Sequence, residues 1–241
     1  MLARLVVVFG LVRGFAPAAR VRDARPRRAA EASSGGSDVA SLKAAVLRGV
    51  SLAARDRSAI PAVIANIAQL EALNPTRSPV DDAKLNGTWA LIGTYSVDGP
   101  VARSRNALQT LSDSVYEGLY KNTQWSWLAG GMASAESSGS KARSFQNIDV
   151  ARGEIFNIVE FAAFGRRARI TVTGTIARES PTSLAVVFVA SSIEGLPFAP
   201  PVVRVPLPRP RGYVETTFLD DEVRISRGSR GTLFVTVRAR G

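Results

Sequence analysis

From Asp38 to Leu73 apolar residues recur at the spacing of a helix, and from Gly87 onward they recur mostly at every second position. The helical pattern is sharpest in its second half. There Ile60, Val63, Ile64, Ile67 and Leu70 make one stripe, and Asn66 and Gln69 point away from it. Ser58 is the expected N-cap, Pro61 falls in the first turn where a missing N–H does no harm, and Asn74-Pro75 ends the run. The pattern predicts a short helical pair over residues 37–80. It is expected to pack on the domain that follows, because its polar face lacks the Lys and Arg of a membrane-surface helix.

After the turn-rich NPTRSPVDD the period changes to two. Trp89, Leu91, Gly93 and Tyr95 alternate with Thr88, Ala90, Ile92 and Thr94, and Ile170, Val172 and Ile176 stand opposite Thr171, Thr173 and Thr175. FQNID, EIFNIVEF, SLAVVFVAS, VVRVPL, GYVETTFL, EVRIS and TLFVTVR read as further strands between Pro, Gly and Ser-Pro punctuation. About eight or nine short strands with short links predict a mostly β domain over residues 81–241, an antiparallel barrel or sandwich. A closed barrel of this size has room for one small apolar ligand.

One stretch breaks the rhythm. Over about residues 102–143 Leu108, Leu111, Val115 and Leu119 have helical spacing, and Trp125 and Trp127 follow ahead of a Gly/Ser-rich tether. This insertion is either a lid or a bilayer-facing wedge, with Trp125 and Trp127 as membrane contacts, or a helix packed against the barrel.

Composition narrows the chemistry. The 241 residues contain no Cys and no His, which excludes disulfides, thiolate nucleophiles, Cys/His zinc sites and imidazole bases. Neither a metal nor a cofactor is expected, and binding is favoured over catalysis. The net charge is +11, but seven arginines against Asp23 and Glu31 in residues 1–36 account for +5 of it. The +6 that remains, without a basic stripe interleaved with aromatics, speaks against nucleic acid and suits an anionic lipid surface equally well.

Residues 1–36 read as an address. MLARLVVVFGLVRG has an early Arg4, an apolar run from Leu5 to Val12 too short to span a bilayer, and Gly14 as a small residue, which suits a signal peptide. Residues 15–36 are rich in Arg, Ala and Ser with few acids, the composition of a transit peptide. The junction at Phe15-Ala16-Pro17 resembles the bipartite presequences of algae whose plastids lie within extra membranes. The alternative is a disordered basic tail.

Three motifs invite a charged ligand and each has a plainer reading. Asp220-Asp221-Glu222 alternates faces if it lies on a strand, so a solvated strand end, or acids paired with Arg224 and Arg227, is expected before a cation site. Arg227-Gly228-Ser229-Arg230-Gly231 lacks the Lys-Ser/Thr of a phosphate loop and reads as a hairpin turn with glycine at positive φ. Gly87-Thr88-Trp89 opens the first strand as a GxW triplet. In lipocalin-type barrels such a Trp closes one end beneath an Arg from a late strand, here Arg224 or Arg227.

Three collinear blocks carry a family resemblance. LEALNPTRSP with LNGTWALIGTYS, FQNIDVARGEIFNIVEF, and GYVETTFLDDEVRISRGSRGTLFV resemble the plastid lipid-associated proteins, the PAP/fibrillin family, over most of residues 38–239. The resemblance implies a lipocalin-like barrel at thylakoids or plastoglobules, binding or organising quinones, carotenoids or acyl lipids. It marks Trp89, Asp149, Asn157, Phe161, Asp221, Arg224, Arg227 and Gly228 as signature positions. Tyr213-Val214-Glu215 departs from the Trp-Leu-Asp-like triplet of many members, and the insertion is long. A lipophilic ligand is expected against Leu91, Tyr95, Phe161, Ile170, Val172, Val186 and Phe188. Two other functions stand beside cargo binding: a structural coat on lipid globules, and an accessory subunit of a lipid or prenylquinone biosynthetic enzyme.

Overall fold

Every period-two segment named above is a strand in the computed structural model, which describes residues 28–96, 103–104, 142–163, 166–195, 200–229 and 231–240. The strands are β1 (Gly87–Ser96), β2 (Arg103–Ser104), β3 (Arg143–Asp149), β4 (Glu154–Ala163), β5 (Arg166–Arg178), β6 (Ser183–Glu194), β7 (Val202–Pro206), β8 (Arg211–Leu219), β9 (Val223–Gly228) and β10 (Thr232–Arg238). All pairings are antiparallel. The order β1-β3-β4-β5-β6-β8-β9-β10 returns to β1 through the β1–β10 pairing, so eight strands form a closed ring without a free edge. The two-residue β2 extends the β3 side of β1, and β7 extends the β8 side of β6 beyond Val187. Of the insertion between β2 and β3, residues 105–141 lie outside the described residues, as do Trp125, Trp127 and residues 1–27.

Two helices precede the ring, α1 (Arg28–Ala53) and α2 (Ile60–Ala72). Helix α1 thus starts nine residues ahead of the expected boundary at 37. The cap differs as well. Asp56, not Ser58, accepts from the Ser58 N–H and opens the single 3-10 turn that leads into α2. The apolar stripe of α2, with Val46, Val50 and Ala53 of α1, packs on the outer face of the ring against Tyr95, Phe218, Val223, Ile225, Leu233 and Val235. Gly49 permits the contact between the helices, since a Cβ there would lie 2.8 Å from Val63 Cγ2. No described helix is long and apolar enough to cross a membrane.

Two polar latches hold the helices down. Glu71 takes a two-pronged contact from Arg227 at 2.7 and 3.1 Å and a 2.6 Å bond from the Thr217 hydroxyl. Lys43 reaches Asp220 at 2.8 Å and Glu222 at 2.7 Å. The Asp220-Asp221-Glu222 acids therefore do not face Arg224 and Arg227. Asp220 accepts from the Glu222 and Val223 N–H groups as the cap of the β8–β9 turn, and Asp221 is exposed. The β9–β10 hairpin is as expected, with Gly231 at φ 63° in the turn.

Candidate functional site

Register passes one inward-facing set from strand to strand. From Trp89 it runs through Gln146 on β3, Asn157 on β4 and Val172 on β5 to Ser191 on β6. In the other direction Leu91 stands opposite Thr236 on β10, Thr236 opposite Arg224 on β9, and Ser226 opposite Thr216 on β8. The interior is consequently two-sided. Along β4, β5 and β6 it is mostly apolar and buried, with Val159, Phe161, Ile170, Val172 and Ile193, and with Asn157 and the buried Ser191 as its polar positions. Along β8, β9, β10 and β1 it is polar and buried, with Thr216, Arg224, Ser226, Thr236 and Thr94.

One end of the ring is filled. Trp89 packs there with Val80, Leu85, Ile148, Ile155, Ile176, Leu184, Val186 and Leu219, and its indole N–H donates to the Leu85 carbonyl at 2.9 Å. The approach segment is pinned across the same end. Asn74 accepts from the Thr76 and Leu219 N–H groups, the Thr76 hydroxyl donates to the Leu219 carbonyl at 2.7 Å, and the Val80 N–H donates to the Pro181 carbonyl. The guanidinium of Arg238 lies 3.9 Å from the Trp89 ring centroid and donates to the carbonyls of Asn86, at 2.6 Å, and Lys84. Arg238 thus shares the closing role with Arg224, which also lies over the Trp89 ring as expected, at 5.5 Å. Arg227 faces α2 instead, because residues 224 and 227 on one regular strand point to opposite faces.

Arg224 takes a different position. Its guanidinium is 5.5 Å from the Trp89 centroid, and it is 1% exposed. Nη2 donates to Gln146 Oε1 at 2.5 Å and Nε to Thr236 Oγ1 at 3.3 Å, while Gln146 Nε2 donates to Asn157 Oδ1 at 2.8 Å. Three strands therefore share one polar chain, Asn157–Gln146–Arg224. Among the described residues Nη1 has no partner, nor have the buried hydroxyls of Ser226 and Ser191. No carboxylate pairs with Arg224 among the described residues. Burial, and then the charge of Arg238, push its pKa down to about 9, which leaves it a cation at neutral pH.

The remaining expected positions divide. Phe161, Ile170 and Val172 are on the apolar inward wall, and Val186 and Phe188 pack with the Trp89 cluster. Leu91 is half-buried on the inward face of β1. Tyr95 is not with them. A β-bulge between Leu91 and Gly93 inserts one residue, and beyond it the faces exchange, so Tyr95 lies under the helices. Burial there pushes its phenol up to about 12. Asp149 ends β3 and accepts from the Arg152 N–H at 3.0 Å. Gly228 ends β9 opposite Val214. Gln146 and Arg238 were not singled out in the sequence. The alternation of FQNID would have flagged Gln146 as inward once the registration with Trp89 was known.

Two open depressions flank the ring. A cleft of about 530 Å³ at the β4–β5 rim is lined by Phe161, Ala162 and Ala168 with Arg143, Arg167, Arg169, Glu160 and Glu194. A groove of about 590 Å³ at the filled end is lined by Thr76, Arg77, Asp81, Asp82, Lys84, Asp220 and Asp221 among others. Among the described residues no three metal-ligating side chains converge.

Plastoglobulin-1, chloroplastic, of Pisum sativum is 28% identical over 212 residues, covering 79% of this chain and 58% of that protein. Probable plastid-lipid-associated protein 5, chloroplastic, of Arabidopsis thaliana is 27% identical over 167 residues, covering 69% of this chain and 54% of that protein. The chain thus spans little more than half the length of these curated relatives. No solved structure matches it. The PAP_fibrillin family model matches residues 38–117 and 138–237, from the first helix to the last strand and over most of the length, and the chain belongs to the PAP_fibrillin family.

Proposed function

We propose that this chain is a non-enzymatic plastid protein that takes up one lipophilic molecule, a quinone, carotenoid or acyl lipid, inside the ring of strands. The observation that carries this reading is the asymmetry of the interior. One end is filled by the Trp89 cluster, and the mostly apolar wall of β4–β6 runs away from it to Phe161 and Ala168, which line a surface depression at the β4–β5 rim. Affinity arises from apolar burial, at about 25 cal/mol per Å² removed from water before the losses of association. The names of the relatives, plastoglobulin and plastid-lipid-associated protein, support a plastid lipid setting at thylakoids or plastoglobules. Residues 1–36 then act as a bipartite presequence for a complex algal plastid. The test is organic extraction of the purified chain. A stoichiometric apolar lipid is expected in the extract. Reproducible absence of one, together with no uptake of added quinone, carotenoid or fatty alcohol, defeats the reading.

A second reading, contact with a lipid surface, is favoured by the charge at the ring's two ends. Arg143, Arg166, Arg167, Arg169 and Arg204 are exposed towards the end opposite Trp89, against Glu160 and Glu194. Glu160 is shared between Arg169 and Arg143, and its hydrogen bond from Arg169 holds its carboxyl below the usual range. β2 and the first residue of β3 stand at this same end, so the segment with Trp125 and Trp127 departs and returns there. The two readings are compatible, since a protein that loads lipid has to meet a lipid phase.

A further inference from the structure

Four strands carry one ionic ladder on the outer face of the ring. Phe161, Ala168 and Ile170 are buried inward, so the alternating positions Glu160, Ala162, Arg167 and Arg169 face out. Register sets Arg143 on β3 opposite Glu160 on β4, Glu160 opposite Arg169 on β5, and Arg169 opposite Glu194 on β6. Glu160 gives one carboxylate oxygen to each neighbour, accepting from Arg143 Nη2 at 2.9 Å and from Arg169 Nη2 at 2.8 Å. Each guanidinium is thereby oriented through a single nitrogen, and its Nε and Nη1 remain for a further acceptor. Arg167 stands nearer the hairpin tip, opposite Ala162, and forms no ion pair among the described residues. Ala162 leaves the space between these long side chains open, because a methyl stands where its neighbours on the same face carry arginine or glutamate. The result is a surface depression of about 530 Å³, lined by all three arginines together with Glu160 and Glu194.

We propose that this depression seats the phosphodiester head group of an anionic phospholipid, with the guanidinium groups of Arg143, Arg167 and Arg169 on its phosphate oxygens. This names the lipid that the basic end meets, and it rests on the reading of that end as a contact with a lipid surface. Planar guanidinium forks match the two unesterified oxygens of a phosphodiester. Charge makes the same choice. Three arginines against Glu160 and Glu194 leave +1 in the seat, which balances the single negative charge of a diester, whereas a phosphate monoester carries about −1.5 to −2 at neutral pH. Glu194 forms no ion pair among the described residues, so it repels a second negative charge and accepts from the hydroxyls of a glycerol head group. Attachment to a surface is what makes such a seat effective. A solvent-exposed contact with one soluble anion is weak, while a lipid surface presents many copies and adds the attraction of its other charges.

The experiment is flotation of the full chain with phosphatidylcholine vesicles that contain either phosphatidylglycerol or cholesteryl hemisuccinate, matched in zeta potential so that only the anionic group differs. Phosphatidylglycerol is expected to hold the chain about tenfold more tightly. Arg167→Lys with Arg169→Lys keeps the charge but loses the forks, and is expected to abolish that preference. Ala162→Leu fills the depression without touching a charge and is expected to do the same. The comparison of the two vesicles on the unmutated chain needs no variant, so a misfolded substitution leaves the test intact. Equal binding to both overturns the seat while leaving the lipid-surface contact in place as plain attraction. A preference that survives in either variant overturns it too, and binding to neither vesicle overturns the lipid-surface reading itself. Calorimetric titration with glycerophosphoglycerol, the head group without its chains, separates the two sources of the phosphate. It is expected to bind far more weakly than the vesicles, and equal affinity would make a soluble phosphodiester the ligand and overturn the lipid assignment.

Discussion

Trp89 is flanked by two arginines that differ in everything except residue type. Arg238 is half-buried, stacks at 3.9 Å and satisfies carbonyls of the approach segment, whereas Arg224 is fully buried with a nitrogen left over. Arg238→Met removes charged hydrogen bonds and a cation–π contact and is expected to cost about 2 kcal/mol in urea unfolding. Arg224→Met also loses hydrogen bonds but relieves an unpaired buried charge, and is expected to leave stability within about 1 kcal/mol of the parent or raise it. If both cost the same, Arg224 is a structural residue like Arg238. The GxW triplet was legible in the sequence as the closing Trp. Arg224 was legible as an arginine over it, whereas Arg238 was not, because its place depends on the register of β10 against β1.

At the scale of elements, alternation and helical spacing located the two helices and the β strands, since both patterns are local. The side on which a residue lands is not local where a strand is irregular. A single inserted residue near Ile92 moved Tyr95 from the ring interior to the helix face. The latches that hold those helices were equally hidden, because Lys43 and Glu71 meet partners well over a hundred residues away. The Lys43 latch has a pH signature. Burial opposes the charged form of Asp220, but the bond from Lys43 and the N–H groups of Val223 and Glu222 outweigh it and hold the carboxyl below its usual range. A carboxyl lowered in the fold stabilises above its unfolded pKa and loses that contribution as pH falls through the folded value. Lys43→Met is therefore expected to lower stability by about 1 kcal/mol at pH 7 and by progressively less as pH falls below about 4. Urea midpoints of both proteins from pH 7 to pH 3 check it, and a gap independent of pH would show that Lys43 acts through packing alone.

Over the whole molecule the charges sort by end. The filled end carries Asp81, Asp82, Asp149, Glu179, Asp220, Asp221 and Glu222, several of them tied to Arg178, Lys84, Arg152 and Lys43, while the opposite end carries exposed arginines with fewer acids. Such a polarity orients a protein at an anionic surface, where each basic side chain near the lipid contributes about 1 kcal/mol, screened over roughly 10 Å at moderate salt. Arg166 and Arg167 stand at the tip of the β4–β5 hairpin, exposed and without a carboxylate partner among the described residues. Replacing both with Ser removes about 2 kcal/mol of attraction and is expected to cut flotation with anionic liposomes by about thirtyfold. Replacing Lys84 and Arg152 with Ser removes the same charge from the other end and is expected to change flotation far less, because those groups then lie beyond the screening length. Trp125→Ala with Trp127→Ala separates insertion from attraction: a loss that persists in high salt and on neutral liposomes marks the tryptophans as a wedge, and no loss at all removes that segment from the contact. Equal losses from the two charge pairs would mean that the basic end, with the depression beside Phe161, does not face the lipid.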